Sequence, residues 1–154
     1  MEMVLEDDIK EIYKSITPSI SKLHGKTVLI TGAAGFLGRY FMSLLTYSNQ
    51  ISNKEPITII ALDNYITSGK PSGNNVLRND KNVEWIVGDA SIGAQLPNKF
   101  DYIIHTAGIA SPEHYRANPL LTIDVTINVT KSLLERAKSD ESRMLFFSSS
   151  EIYG

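Results

Sequence analysis

No cysteine occurs in the 154 residues, which excludes disulfides and thiolate-bound metals and fits a reducing compartment. No apolar run approaches the roughly 18 residues of a membrane span. The acidic start MEMVLEDDIK lacks the apolar core of a signal peptide. A long basic run is also missing. The 15 basic and 17 acidic side chains leave a net charge of −2, which argues against nucleic acid or an anionic membrane as the main partner. Histidine is scarce, and His24, His105 and His114 do not have the spacing of metal ligands, so no metal is expected. There is no repeat and no low-complexity tract. These absences describe a soluble, cytoplasmic protein whose length suits one domain.

What is present divides at about residue 25. Before it, Ile9, Ile12, Tyr13 and Ile16 recur at helical spacing until Pro18 breaks the pattern. Residues 1–25 therefore read as a short amphipathic helix and a linker, packed on the domain or on a second subunit. From Lys26 onward, short apolar runs alternate with longer mixed segments. TVLIT (27–31), ITIIAL (57–62), VEWIV (83–87), YIIH (102–105) and MLFF (144–147) read as strands, and SGKPSGNN (68–75) as a loop. Most of these strands are apolar on both faces, as parallel strands covered by helices on each side must be. In TIDVTINVT (122–130) the β-branched residues alternate like a strand. Asn118-Pro119 is nevertheless a good helix start, and a crossover between parallel strands needs a helix here. The segment is assigned to a helix.

The first strand runs directly into TGAAGFLG, with glycines at 32, 35 and 38. Such spacing gives a tight turn, close backbone approach to a pyrophosphate, and a helix N-terminus whose amides and dipole receive it. The second strand ends in ALDNY, where Asp63 lies 25 residues past Gly38 and can reach the adenosine ribose hydroxyls. A carboxylate at that place repels a 2′-phosphate, so NAD is favoured over NADP. Asp89, in the GDA that ends the third strand, is a candidate partner for the adenine amino group. A phosphate-binding NTPase loop would need Gly-Lys-Ser/Thr after its spacer, and none follows.

With these motifs in order, residues 26–154 resemble the extended short-chain dehydrogenase/reductase family, the NAD-dependent epimerases and dehydratases of nucleotide sugars. The matching stretches are TGAAGFLG, ALDNY, GDA, HTAG (105–108) and SSSEIYG (148–154). HTAGIASPEHYRANP (105–119) and SSSEIYG are most similar to the UDP-glucuronate decarboxylase branch. The resemblance implies a doubly wound Rossmann-type α/β fold with parallel strand order 3-2-1-4-5. It implies cofactor contacts from Gly32, Gly35, Phe36, Leu37, Gly38, Asp63, Asn64, Asp89, Ala90, Thr106, Ala107 and Gly108. It places Ser149 against the reacting sugar oxygen and Glu151 as an active-site carboxylate, with Ser150 where the dehydratases carry Asp. The family's Asn-x-x-Gly-Thr instead reads Thr126, Val129 and Thr130, with Asn128 nearby.

The chemistry so implied begins with hydride transfer from sugar C4 to NAD while a tyrosine accepts the hydroxyl proton. The 4-ketone then lies β to the carboxylate, CO₂ leaves, and hydride returns. The family's base is a Tyr-x-x-x-Lys pair, and no tyrosine here is followed four residues later by lysine; the nearest case is Tyr65, with Lys70 five residues on. The expectation is therefore the cofactor-binding part of a longer enzyme, truncated before the catalytic helix and substrate lobe and inactive by itself. Its fifth strand would leave an apolar sheet edge open. A related epimerase, dehydratase or 4-ketoreductase, and a non-catalytic NAD-binding module, remain as alternatives. The partner is a nucleotide-sugar substrate, and a homodimer is an option that the resemblance raises.

Overall fold

The computed structural model describes residues 6–69 and 80–148. Its centre is a five-stranded parallel sheet of β1 (Thr27–Thr31), β2 (Thr58–Asp63), β3 (Val83–Val87), β4 (Tyr102–His105) and β5 (Arg143–Phe146), ordered β3-β2-β1-β4-β5. The expected order holds. The last strand begins at Arg143 and the second at Thr58, each one residue from its expected start.

Alternation within the strands explains the two helical layers. Val28 and Ile30 of β1, Ile59 and Ala61 of β2, and Ile104 of β4 point into one core. Leu29, Ile60, Leu62 and Ile103 point into the other. The first core is covered by α1 (Glu6–Ile20) and α2 (Phe36–Ile51). The second is closed by a 3₁₀ segment (Ala90–Gln95) and α5 (Thr130–Asp140), which place Ala90, Leu133 and Ala137 against it. Both faces of β1 and β2 are thus dry, as their unbroken apolar runs require.

Two local findings refine the sequence pattern. The N-terminal segment breaks as Pro18 leads one to expect, at Ile16 (φ −121°, ψ 15°), and a second short helical stretch follows across the kink to Ile20. Proline removes one amide donor and crowds the preceding turn, and burial of Ile9 and Ile20 (4% and 5% exposed) holds the two helical stretches on either side of the kink against the sheet. Residues 119–140 are helical, but not uniformly α. Between α4 (Pro119–Asp124) and α5 lies a π-helical turn, Val125–Val129, in the same segment whose β-branched alternation imitates a strand. A short α3 (Pro112–Ala117) precedes α4. No helix among the described residues is long and apolar enough to cross a membrane.

Candidate functional site

The chain reverses direction across the sheet between β1 and β4, which pair in register from Val28↔Tyr102 to Thr31↔His105. At the carboxyl ends of these neighbours the loops diverge and leave a crevice, the usual ligand position in an open α/β sheet. The glycine loop lines it with Gly32 and Gly35, β2 with Asp63 and Asn64, and the end of β3 with Asp89 and Ala90. The segment after β4 adds Thr106, Ala107 and Gly108.

The loop's shape is enforced sterically. Gly32 has φ +73°, and a Cβ on it would lie 2.6 Å from the Ala107 amide nitrogen. A Cβ on Gly38 would lie 2.1 Å from the Gly32 carbonyl oxygen, so α2 can pack this closely on the loop only with glycine there. The result is an uncluttered backbone at the N-terminus of α2, where Phe36 and Leu37 are exposed. First-turn amides of a helix have no intrahelical acceptor and favour an anion. Gly108, across the crevice, is also open. The residues present therefore fit a dinucleotide: a bare cradle for the pyrophosphate, with a carboxylate at the end of β2.

That carboxylate is also part of the loop. Asp63 is 8% exposed. Its Oδ2 accepts from the Ala34 amide at 2.8 Å and its Oδ1 from the Tyr65 amide at 2.7 Å, with Ser68 Oγ at 3.4 Å. Asp89 accepts from the Ser91 amide at 2.9 Å, which starts the 3₁₀ segment, and from Asn64 Nδ2 at 3.3 Å. The structure thus gathers Gly32, Gly35, Asp63, Asn64, Asp89, Ala90, Thr106, Ala107 and Gly108 at one crevice, whereas Leu37 lines the larger cavity described next and Phe36 and Gly38 line neither. Sequence reading missed Leu121 and Val125 on its wall, although their spacing of four on one helix was the available signal.

A second, larger cavity of about 1,010 Å³ opens beyond the β4 end, lined by His105, Ala110, Tyr115, Thr126, Phe146 and Ser148 among others. His105 is 1% exposed and stacks on Phe146 at 5.7 Å. Burial lowers its pKa from 6.5 to about 4, so the imidazole is neutral near pH 7. Asn128 does not stand in for the family asparagine, because its amide donates to Asp124 Oδ1 at 2.7 Å on the exposed side. Ser149, Ser150 and Glu151 lie outside the described residues, as does most of the 68–75 loop. His24 spends its ring nitrogens on Glu55 O and Ser48 Oγ, both at 3.0 Å.

Comparison with known proteins agrees with this geometry. UDP-glucuronic acid decarboxylase 2 of Arabidopsis thaliana is 32% identical over 133 residues, covering 86% of this chain and 28% of its own length. UDP-glucuronic acid decarboxylase 1 of Danio rerio is 31% identical, covering 97% of this chain and 35% of its own. The chain therefore spans about a third or less of these relatives. Among solved structures, an epimerase from Methanothermobacter thermautotrophicus shares the fold (TM-score 0.72, 23% identity, 90% of this chain and 39% of that one). The UDP-glucose 4-epimerase of Bifidobacterium longum, in complex with NAD⁺ and UDP, matches with TM-score 0.61 and 27% identity over 83% of this chain and 38% of that one. The model of the NAD dependent epimerase/dehydratase family matches residues 28–154. The chain belongs to this family, whose cofactor is NAD.

Proposed function

We propose that this chain is the NAD-binding part of a nucleotide-sugar-modifying enzyme of the UDP-glucuronate decarboxylase type, working in the cytoplasm as a homodimer. The observation that carries the reading is the convergence of the glycine loop, the Asp63 carboxylate, the Asp89 end of β3 and the Thr106–Gly108 backbone on one crevice. The similarity to decarboxylases supplies the substrate class.

In this reading the α2 amides of Phe36 and Leu37 hold the pyrophosphate. Asp63 accepts from the ribose hydroxyls with the lone pairs left free by Ala34 and Tyr65, and Asp89 with Asn64 meets the adenine edge. NAD, when bound, supplies the hydride acceptor for oxidation at sugar C4. The cavity around Tyr115, Thr126 and Ser148 receives the sugar, and the resemblance assigns the reacting-oxygen contact to Ser149 and the active-site carboxylate to Glu151, with Ser150 between them in sequence. A second reading, a non-catalytic NAD-binding module, would use the same crevice.

The test is calorimetric titration of the chain with NAD, alongside Gly38→Ala. Binding in the micromolar range or tighter (about −8 kcal/mol) that Gly38→Ala abolishes is the expected result; a chain that folds yet takes no NAD overturns both readings. Reading the gene beyond codon 154 separates them. A Tyr-x-x-x-Lys pair there, with CO₂ released from UDP-glucuronate by the longer polypeptide, supports the enzyme; a stop codon supports the module.

A further inference from the structure

His105 is buried beside the reaction cavity yet carries out no step in the reading above. Its two ring nitrogens meet two hydroxyls, Nδ1 with Thr31 Oγ1 at 2.6 Å and Nε2 with Thr130 Oγ1 at 3.1 Å. A neutral imidazole donates from one nitrogen and accepts at the other, and a hydroxyl serves either role, so both contacts are satisfied in a single tautomer. The three residues belong to three separate elements. Thr31 ends β1 immediately before the glycine loop, His105 ends β4, and Thr130 follows the π turn Val125–Val129.

The π turn is the irregular part of this arrangement. Such turns are rare and cost regular helical bonding, so something outside the helix must hold them. Two anchors are visible. Val125 and Val129 are buried (6% and 1% exposed), Val129 within the second core. Thr130, the next residue, has its hydroxyl against the His105 imidazole. Val125 also lines the cofactor crevice, and Thr126 next to it lines the larger cavity. Thr126 donates its own hydroxyl to the Thr122 carbonyl at 2.7 Å, so its oxygen lone pairs remain available to a ligand. At the other end, Thr31 is tied to the segment after β4, since Thr106 Oγ1 donates to the Thr31 carbonyl at 2.8 Å and also approaches the Gly32 carbonyl at 3.2 Å.

We infer that His105 is a positioning residue: the Thr31–His105–Thr130 strut fixes the π turn against the root of the glycine loop, and so sets how Val125 faces a bound dinucleotide and how Thr126 faces the neighbouring cavity. The inference rests on the proposed NAD site and deepens it. It concerns placement through hydrogen bonds and assigns His105 no proton transfer.

Thr130→Val removes the hydroxyl at constant volume, and Thr130→Ser restores it. NAD affinity is measured by calorimetry well below each variant's melting point, with melting recorded separately. Loss of one such bond at the site predicts NAD binding about fivefold weaker in Thr130→Val and within about twofold of the parent in Thr130→Ser. His105→Asn, too short to span both hydroxyls, gives a loss at least as large and serves if Thr130→Val does not fold. Variants that fold and bind NAD like the parent overturn the inference, as does a Thr130→Ser variant as weak as Thr130→Val. A parent chain that binds no NAD overturns the site itself, which is a different result from normal binding unaffected by the strut.

Discussion

At the scale of single residues, two buried polar groups show how differently the same environment can be met. Thr46 on α2 is 3% exposed, and its hydroxyl has no hydrogen-bond partner among the described residues. A buried hydroxyl without a partner bears its desolvation cost with nothing in return, so Thr46→Val should stabilise the fold by about 1 kcal/mol and raise the melting temperature by roughly 2–4 °C. A variant that melts lower than the parent would contradict this. His105 is the opposite case, fully partnered but unable to charge cheaply. Its folded pKa of about 4 lies below the ordinary 6.5, so the unfolded chain takes up the proton first as pH falls. Stability should therefore decline from about pH 6.5 down to about pH 4, by roughly 3 kcal/mol in total. Below that range Asp101 and Asp140 add to the loss. Both carboxyls are lowered on balance despite burial, by the Thr27 amide and Lys26 in one case and by the Phe100 amide and Arg136 in the other. Urea melts across this range should show the slope in the parent and lose its upper part in His105→Asn.

At the scale of elements, legibility tracked how local the determining forces are. The glycine loop and strands β1, β2 and β4 were readable because their signals are short-range: apolar runs, β-branching, and glycines where a Cβ would strike backbone. The segment 122–130 was ambiguous because the strand-like alternation of Ile123, Val125, Ile127 and Val129 overlaps a helical stripe of Leu120, Ile123, Ile127 and Leu134. Its helical state follows from the need for a crossover, but its π turn does not, because the π turn depends on burial of Val125 and Val129 and on the contact of Thr130 with His105. The kink at Ile16 is similar: Pro18 announced the break, and long-range burial of Ile20 explains the second helical stretch that follows it. Arg136 left no sequence signal at all. From α5 its Nη1 donates to the carbonyls of Ala94 (3.0 Å) and Leu96 (2.8 Å), its Nη2 to that of Asn98, and its Nε to Asp140 at 2.8 Å, with the guanidinium 5.1 Å from the Phe100 ring centre. This one side chain ties the segment after Asp89 to α5. Arg136→Met keeps the packing but strands three carbonyls and a half-paired carboxylate, so it should cost about 2–4 kcal/mol in denaturant unfolding. A loss below about 1 kcal/mol would mean that water replaces these bonds freely.

At the scale of the whole molecule, the two apolar cores are closed, whereas the outer side of the α4–α5 region is not. Leu120, Ile123, Ile127 and Leu134 are 80%, 54%, 59% and 52% exposed, and their spacing puts them along one stripe of the continuous helical segment. Scattered exposed leucines need no explanation, but a contiguous stripe at helical period does. Two copies related by a twofold axis would bury this stripe against itself, each residue meeting its symmetry mate's neighbours, which is the least demanding way to cover a self-complementary face. Few charges oppose such contact: Lys131 sits within the stripe's length but reaches toward Glu135 at 4.0 Å, so the flank is close to neutral. Light scattering on a sizing column should therefore report twice the 17.1 kDa chain mass at micromolar concentration. Leu134→Asp would place a charge in the stripe and shift the chain to monomer, while NAD binding should stay within about twofold because Leu134 lies outside the π turn and lines neither cavity. A parent chain that remains monomeric up to hundreds of micromolar would remove the homodimer from the proposed function and leave the cofactor site as it stands.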